Sequence, residues 1–372
     1  GAAVRRSRLA TRMKRRSLLA LLAASAGGAA WARTGLPGEP GRSPEHVLVL
    51  FELRGGNDGL NTLAPLHDPL YRESRPTLAL ADGIEIGSGL VLHPSLAPLA
   101  PLWQRRRLAF ALGVGWADPS RSHFKAADQW ATGSPSGQGP GWLATALARR
   151  GSAGPLVALG SAGCPAMEGG AIAALQMAPA LLRGQGPLAL EPARAGSNRV
   201  LRRMLELEQE GSRELMRLRQ AIRPLPADLS LPRGGLGQQV ALALQLIGSG
   251  QCPPALQLAQ GGYDTHANQA VRHGRVLAEL AEALAAFDAG LRRLPRRPRV
   301  TLLAVSEFGR RLRQNGSGGT DHGSASIALL LGDHLPHPFL GTYPSLTQLD
   351  SRGDLIASLS PPELYRRVLE PI

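Results

Sequence analysis

Five short polar stretches carry the residue types that hold cations and activate nucleophiles: Asn57-Asp58, Arg121-Ser122-His123, Asp264-Thr265-His266, Ser306-Glu307 and Asp321-His322. Carboxylates and imidazoles in this mixture suit Zn²⁺, Mn²⁺ or Mg²⁺. Asp58, Asp264, His266, Glu307, Asp321 and His322 are the expected metal ligands, and the inventory just reaches what two ions would need. Two cations about 4 Å apart can clamp the attacking and leaving oxygens of a phosphate or sulfate ester. Ser122 is then the metal-activated nucleophile, with His123 beside it as a second catalytic group. Arg121 and Arg310 flank these stretches and suit bidentate binding of an oxyanion, with Asn57 as a further substrate contact. Each stretch also has a plainer structural meaning. The loops can be solvated turns rich in Gly, Asn and Asp, and Ser122 can be an ordinary helix N-cap. The remaining histidines read as surface or core residues, with His337 the one to check as a stray ligand.

Chemistry of this kind requires elements that bring distant residues together. Apolar runs at residues 47–51, 108–112, 255–259 and 300–305 each stop abruptly at a glycine-rich or acidic stretch. Short apolar runs closed in this way suit parallel strands covered on both faces, and open α/β sheets bind ligands beyond the carboxyl ends of such strands. Glycines on both sides of Asp58 allow tight turns and close approach of a ligand. Helices are expected over residues 142–150, 200–222, 238–247 and 361–369, with another beginning near Ser122. A helix carrying Leu277, Leu280, Leu284, Phe287 and Leu291 on one stripe returns the chain to the 300–305 strand. Strands follow at 156–159 and 327–331, whereas residues 160–198, rich in Ala, Gly and Pro, carry no assignable pattern. The expected fold is therefore α/β, a doubly wound and mostly parallel sheet with helices on both faces.

With 372 residues, 43% hydrophobic, the chain can bury a sizeable core in one large domain or two smaller ones. The formal charge of +14 suggests nucleic acid until its location is considered. Seven basic residues (Arg5, Arg6, Arg8, Arg12, Lys14, Arg15 and Arg16) precede the first apolar run, and removing them from +14 leaves +7. No basic stripe interleaved with aromatics remains, so nucleic acid is not an expected partner. Lys14-Arg15-Arg16-Ser17, the apolar residues 18–22 and Ala30-Trp31-Ala32 have the form of an export signal ending in an A-x-A cleavage site. Adjacent arginines there are of the twin-arginine type, which makes that export machinery a partner and the periplasm or exterior the destination. Residues 1–32 are thus an expected signal peptide, 33–45 a linker, and 46–372 a single domain. No later stretch reaches the roughly 18 apolar residues that a membrane span needs. Cys164 and Cys252 can pair in an oxidising compartment or remain as two buried thiols.

Taken together, Arg54-Gly55-Gly56-Asn57-Asp58-Gly59-Leu60-Asn61, Pro119-Ser120-Arg121-Ser122-His123-Phe124, the 261–269 stretch around Asp264-Thr265-His266, and Ser306-Glu307-Phe308-Gly309-Arg310 with Gly319-Thr320-Asp321-His322-Gly323 resemble the DUF1501 family of exported bacterial proteins. The resemblance covers roughly residues 46–370. It implies twin-arginine export, a doubly wound α/β fold akin to the alkaline phosphatase and sulfatase superfamily, and a metal-dependent hydrolase ancestry, which with the cation chemistry above makes a small anionic phosphate or sulfate ester the expected substrate. It equally allows a non-catalytic binding or scaffold protein on a degenerate hydrolase fold. Carried onto this sequence, the superfamily pattern makes Asp58 the first metal aspartate and Ser122 the nucleophile. Asp264 and His266 take the aspartate-histidine pair, and strand position equates Ser306-Glu307-Phe308-Gly309 with the later Asp-His pair. Phe308 then stands where a histidine ligand is expected, and Asp321-His322 fills the last histidine position. A rival alignment equates Asp321-His322 with the Asp-His pair by letters alone. Either alignment leaves the metal shell one ligand short unless His123 supplies it. Ala117 stands where a sulfatase places its nucleophilic cysteine, which argues against formylglycine chemistry.

Overall fold

The computed structural model describes residues 31–32, 44–152, 154–160, 163–177, 192–333, 335 and 338–370. In chain order the strands are β1 (Trp31–Ala32), β2 (His46–Leu53), β3 (Leu63–Ala64), β4 (Ile84–Glu85), β5 (Val91–Leu92) and β6 (Leu108–Val114). They continue with β7 (Leu156–Ala158), β8 (Ala174–Gln176), β9 (Ala255–Gln260), β10 (Arg299–Val305), β11 (Ser326–Gly332) and β12 (Phe339–Gly341). Nine of them form one sheet in the order β1-β8-β7-β9-β2-β10-β11-β6-β12, and β3, β5 and β4 form a small second sheet. The ladder from β8 through β7, β9 and β2 to β10 is parallel throughout. Within the large sheet, antiparallel pairing among the described residues falls to β1 with β8 and to β11, which runs against both β10 and β6. The sheet is therefore large, mixed and mostly parallel, as expected.

Alternation along the central strands separates two apolar layers. Val47, Val49 and Phe51 of β2 pack on one face with the Gly235–Ile247 and Gln269–Arg293 helices, while Leu48 and Leu50 pack on the other with Trp130, Leu143, Leu147 and Leu364. Helices accordingly cover both faces. The stripe at Leu277, Leu280, Leu284, Phe287 and Leu291 is buried, as its spacing predicts.

The direction of β11 matters for the site. Because it runs against both neighbours, β6 and β10 point the same way, and the carboxyl ends of β2, β6, β9 and β10 share one edge with the amino end of β11. Residues 306–325 leave β10 and re-enter the sheet at that same edge. They fold back on themselves through Gly309 N–H to Ser324 O (2.8 Å) and Gly323 N–H to Gly309 O (2.9 Å).

The sequence misplaces smaller features. The helix expected over 238–247 begins at Gly235, and part of the unpatterned 160–198 region supplies β8. Trp31–Ala32, inside the expected leader, pairs with Leu175 and Ala174, while residues 1–30 and His337 lie outside the described residues. Cys164 and Cys252 are both buried, with no disulfide between them. Among the described residues no helix is long and apolar enough to cross a membrane.

Candidate metal centre

The shared edge gathers side chains from three connections. His123 opens the His123–Thr132 helix after β6, Asp264 and His266 follow β9, Glu307 follows β10, and Asp321-His322 precede β11. Each histidine presents Nε2 to the Asp264 carboxylate: His266 at 2.9 Å, His322 at 3.2 Å and His123 at 3.5 Å. His266 Nε2 also stands 2.9 Å from His322 Nε2. The opposite nitrogen of every ring faces an oxygen. His123 Nδ1 lies 2.8 Å from Glu307 Oε1, His266 Nδ1 3.2 Å from Asp321 Oδ1, and His322 Nδ1 2.8 Å from the Arg121 carbonyl. The Nδ1 atoms are thus tied to oxygen acceptors, which leaves the three Nε2 atoms and the Asp264 carboxylate to meet a cation if one binds.

Three imidazoles tethered through Nδ1 and converging through Nε2 on one carboxylate fit a divalent cation. Outer hydrogen bonds of this sort fix the tautomer and aim of metal-binding histidines. A tetrahedral zinc site with bonds of about 2.0–2.1 Å sets its ligands roughly 3.3 Å apart, close to the spacings between these atoms. His123, Asp264 and His322 form a group able to hold a metal ion, their ligand atoms lying within 4.8 Å of one another. His266 Nε2 lies 2.9 Å from both Asp264 Oδ1 and His322 Nε2, at the margin of that group. His123 is thus the candidate for the ligand that the sequence pattern lacked. Phe308, in the expected histidine position, packs its ring against His123 and His322 at centroid distances of 4.9 and 4.5 Å.

Electrostatics favour an ionised Asp264. Partial burial would raise its pKa, but the hydrogen bond from Arg310, with help from His322, outweighs that and holds it down to about 2. Burial pulls the His322 imidazole below its ordinary value, against the opposing pull of the Arg121 carbonyl and Asp264. Asp321 is held below the usual carboxylate range chiefly by the Asn315 side-chain amide.

The structure reassigns several residues. Asp58 is fully buried and does not join the cluster: Arg75 Nη1 lies 2.6 Å from its Oδ2, and Gln269 and the Asn61 N–H bind it as well. Asp264 is the aspartate that stands in the candidate group instead. Glu307 and Asp321 sit one layer further out than expected, aiming His123 and His266. Arg310, expected on substrate, is buried. It donates to the carbonyls of Gly55, Gly56, Tyr263 and Thr320 and to Asp264 at 2.7 Å. Gly55 permits that clasp, since at φ +120° a Cβ there would meet the Asp264 nitrogen at 2.4 Å. The Arg121 guanidinium is committed to Asp354. Asn57 is buried among Thr62, His273 and Ser306, away from any substrate. Ser122 caps the His123–Thr132 helix in the backbone sense only, because its hydroxyl makes no capping bond.

Sequence reasoning missed Arg54, at the end of β2. It pairs with Glu52 at 2.6 Å and borders a cavity of about 560 Å³ that opens beside His123 and Asp264. The signal was present, since Arg54 opens the Arg54-Gly55-Gly56-Asn57-Asp58 stretch.

A mostly parallel α/β sheet with a histidine–aspartate cluster at its strand ends defines the class. Residues 118–347, more than half of the chain, match the family described as "Protein of unknown function (DUF1501)", and the chain belongs to that family. No curated protein matches. Fourteen solved chains are similar. Among them is the C-terminal periplasmic domain of EcEptC from Escherichia coli in complex with Zn, 10% identical, with a TM-score of 0.41 over 90% of this chain and 84% of that one.

Proposed function

We propose that this protein is an exported hydrolase of phosphate or sulfate esters that holds one divalent cation through His123, Asp264, His266 and His322. The observation that carries the proposal is the convergence of three Nδ1-tethered imidazoles on the Asp264 carboxylate. An alkaline phosphatase- or sulfatase-like ancestry belongs to the same proposal, on the motif resemblance. So do twin-arginine export and a periplasmic location, on the pattern of residues 14–32.

When bound, such a cation supplies Lewis acidity, polarising an ester oxygen and stabilising charge on the attacking and leaving oxygens. The chain's own residues do the rest. Glu307, Asp321 and the Arg121 carbonyl hold the three Nδ1 protons, so the Nε2 lone pairs stay aimed. Arg310 keeps Asp264 ionised. Ser122 is the nucleophile, its hydroxyl uncommitted at the start of the His123–Thr132 helix, where free N–H groups favour an anionic group. Attack by its oxygen on phosphorus or sulfur expels the alcohol and leaves an ester on the serine, which water then cleaves.

The test is turnover of a panel of phosphate and sulfate monoesters by the mature protein loaded with Zn²⁺, Mn²⁺ or Mg²⁺. Ser122→Ala should abolish turnover and retain the metal. Inertness with all three ions, or full activity of Ser122→Ala, would overturn the proposal. One observation favours a second reading, a metal-holding binding or scaffold protein without turnover: both arginines expected to grip an ester anion are consumed internally.

A further inference from the structure

The cavity beside the cluster is lined by two unlike sets of side chains: Arg54, His123 and Asp264 are polar, and Phe124, Ala127, Trp130, Trp142 and Tyr365 are apolar or aromatic. The second set is built from flat, braced rings. Trp142 and Tyr365 stack with centroids 3.9 Å apart and planes 7° apart, and Trp130 meets Tyr365 edge-on at 6.3 Å. The Tyr365 hydroxyl donates to the Trp130 carbonyl at 2.7 Å, which locks ring to helix. Phe124 is 86% exposed, the most exposed large apolar side chain among the described residues. Phe124 thereby carries the aromatic lining of the cavity out to the surface.

We propose that this hollow is an aryl-binding subsite, which makes the substrate of the neighbouring cluster an ester of an aromatic alcohol. The inference rests on the hydrolase reading for the word "ester" but not for the pocket itself. A ring in the hollow places its attached oxygen toward His123 and Asp264, the anionic group beside the candidate cation position, and the ring against Trp130 and Phe124. An alkyl group of equal size would gain burial there, but not the edge-to-face and offset ring contacts that these walls offer. The walls are preformed, so little order is lost on binding.

Two measurements test it, and they separate this inference from the hydrolase reading. First, the full mature protein loaded with Zn²⁺ is titrated calorimetrically with phenylphosphonate and with methylphosphonate. The phenyl compound should bind at least about tenfold tighter. Ala127 lies exposed on the helix face that lines the hollow, so Ala127→Trp should fill the space without disturbing the fold. That variant should lose the phenyl advantage while keeping zinc and methylphosphonate affinity, and Phe124→Ala should weaken the phenyl compound about threefold. Equal affinities for the two phosphonates, or an advantage that survives Ala127→Trp, overturn the proposal. Second, metal-free protein is titrated with 2-naphthol while tryptophan fluorescence is followed. Saturable quenching that Ala127→Trp abolishes supports an aryl pocket even if no ester is ever turned over, and absence of quenching in the wild type overturns it.

Discussion

Two acid–base clusters flank the β2 strand end, and they were built for different purposes. One is sealed: Asp58 and Arg75 are both 0% exposed, and Asn61, Tyr71 and Gln269 complete their hydrogen bonds. The other is open: the Asp264 side chain is 46% exposed and meets three histidines besides the Arg310 guanidinium. Both follow a buried strand and sit among glycines, so the local letters are nearly the same. Each carboxylate meets a buried guanidinium, and what separates them is that Asp264 is also half-exposed and ringed by three imidazoles. A permanent guanidinium neutralises a buried carboxylate for good, whereas imidazoles that turn lone pairs inward leave a site that a cation can complete.

Breaking the sealed pair should have the largest effect. Arg75→Met leaves the Asp58 charge buried and alone, and should destabilise the fold by about 3–5 kcal/mol in denaturant titration. The double variant with Asp58→Asn should recover a good part of that loss. A loss of zinc affinity with no loss of stability would show that the comparison is drawn the wrong way round.

Acid should separate the two regions next. His273 lies under the sealed cluster, donating to Asn57 Oδ1 at 3.0 Å, with Nδ1 unpartnered and burial holding its pKa down to about 4. Nearby Asp58 opposes that shift without overcoming it. Between its ordinary value of 6.5 and 4 the unfolded chain binds the proton and the folded chain does not, so stability falls as pH falls through that window. The loss should approach roughly 3 kcal/mol by the bottom of the window. His273→Gln should flatten it. Unfolding midpoints measured every half pH unit, with and without the substitution, check the slope, and an unchanged slope refutes the assignment.

A smaller effect belongs to the open cluster. Glu307→Gln keeps the shape but weakens the acceptor that aims His123, and should cost about 10- to 100-fold in Zn²⁺ affinity at nearly unchanged stability. Asp321→Asn, acting on the more exposed His266, should fall at the lower end of that range. Competition with a chromogenic chelator reads both, and a Glu307→Gln protein that binds zinc as tightly as wild type would remove Glu307 from the site.

Much of this arrangement was legible in the sequence. Abrupt strand-to-polar transitions marked β2, β6, β9 and β10, and their shared direction explains why His123, Asp264, His266 and His322 meet. The separation of Asp58 from the cluster was not legible, because its partner Arg75 lies in a stretch with no pattern of its own and reaches it only through the tertiary fold. Nor could spacing tell a ligand from its support. Glu307 and Asp321 are carboxylates in the same kind of motif as Asp264, and only the ring nitrogen each one faces assigns its role. The two arginines misled for a related reason. A guanidinium near a polar site in sequence can grip an anion or clasp carbonyls, and Arg310 does the second. The antiparallel course of β11 depends on the compact fold of residues 306–325, which no periodicity records.

The most direct test of the central claim is metal stoichiometry. Protein stripped with chelator, re-equilibrated with limiting Zn²⁺ and passed over a desalting column should carry one ion per chain by elemental analysis. Asp264→Asn with His322→Ala should carry none while still unfolding cooperatively. A double variant that still retains its zinc, or a wild-type chain that never takes one up, would contradict the account.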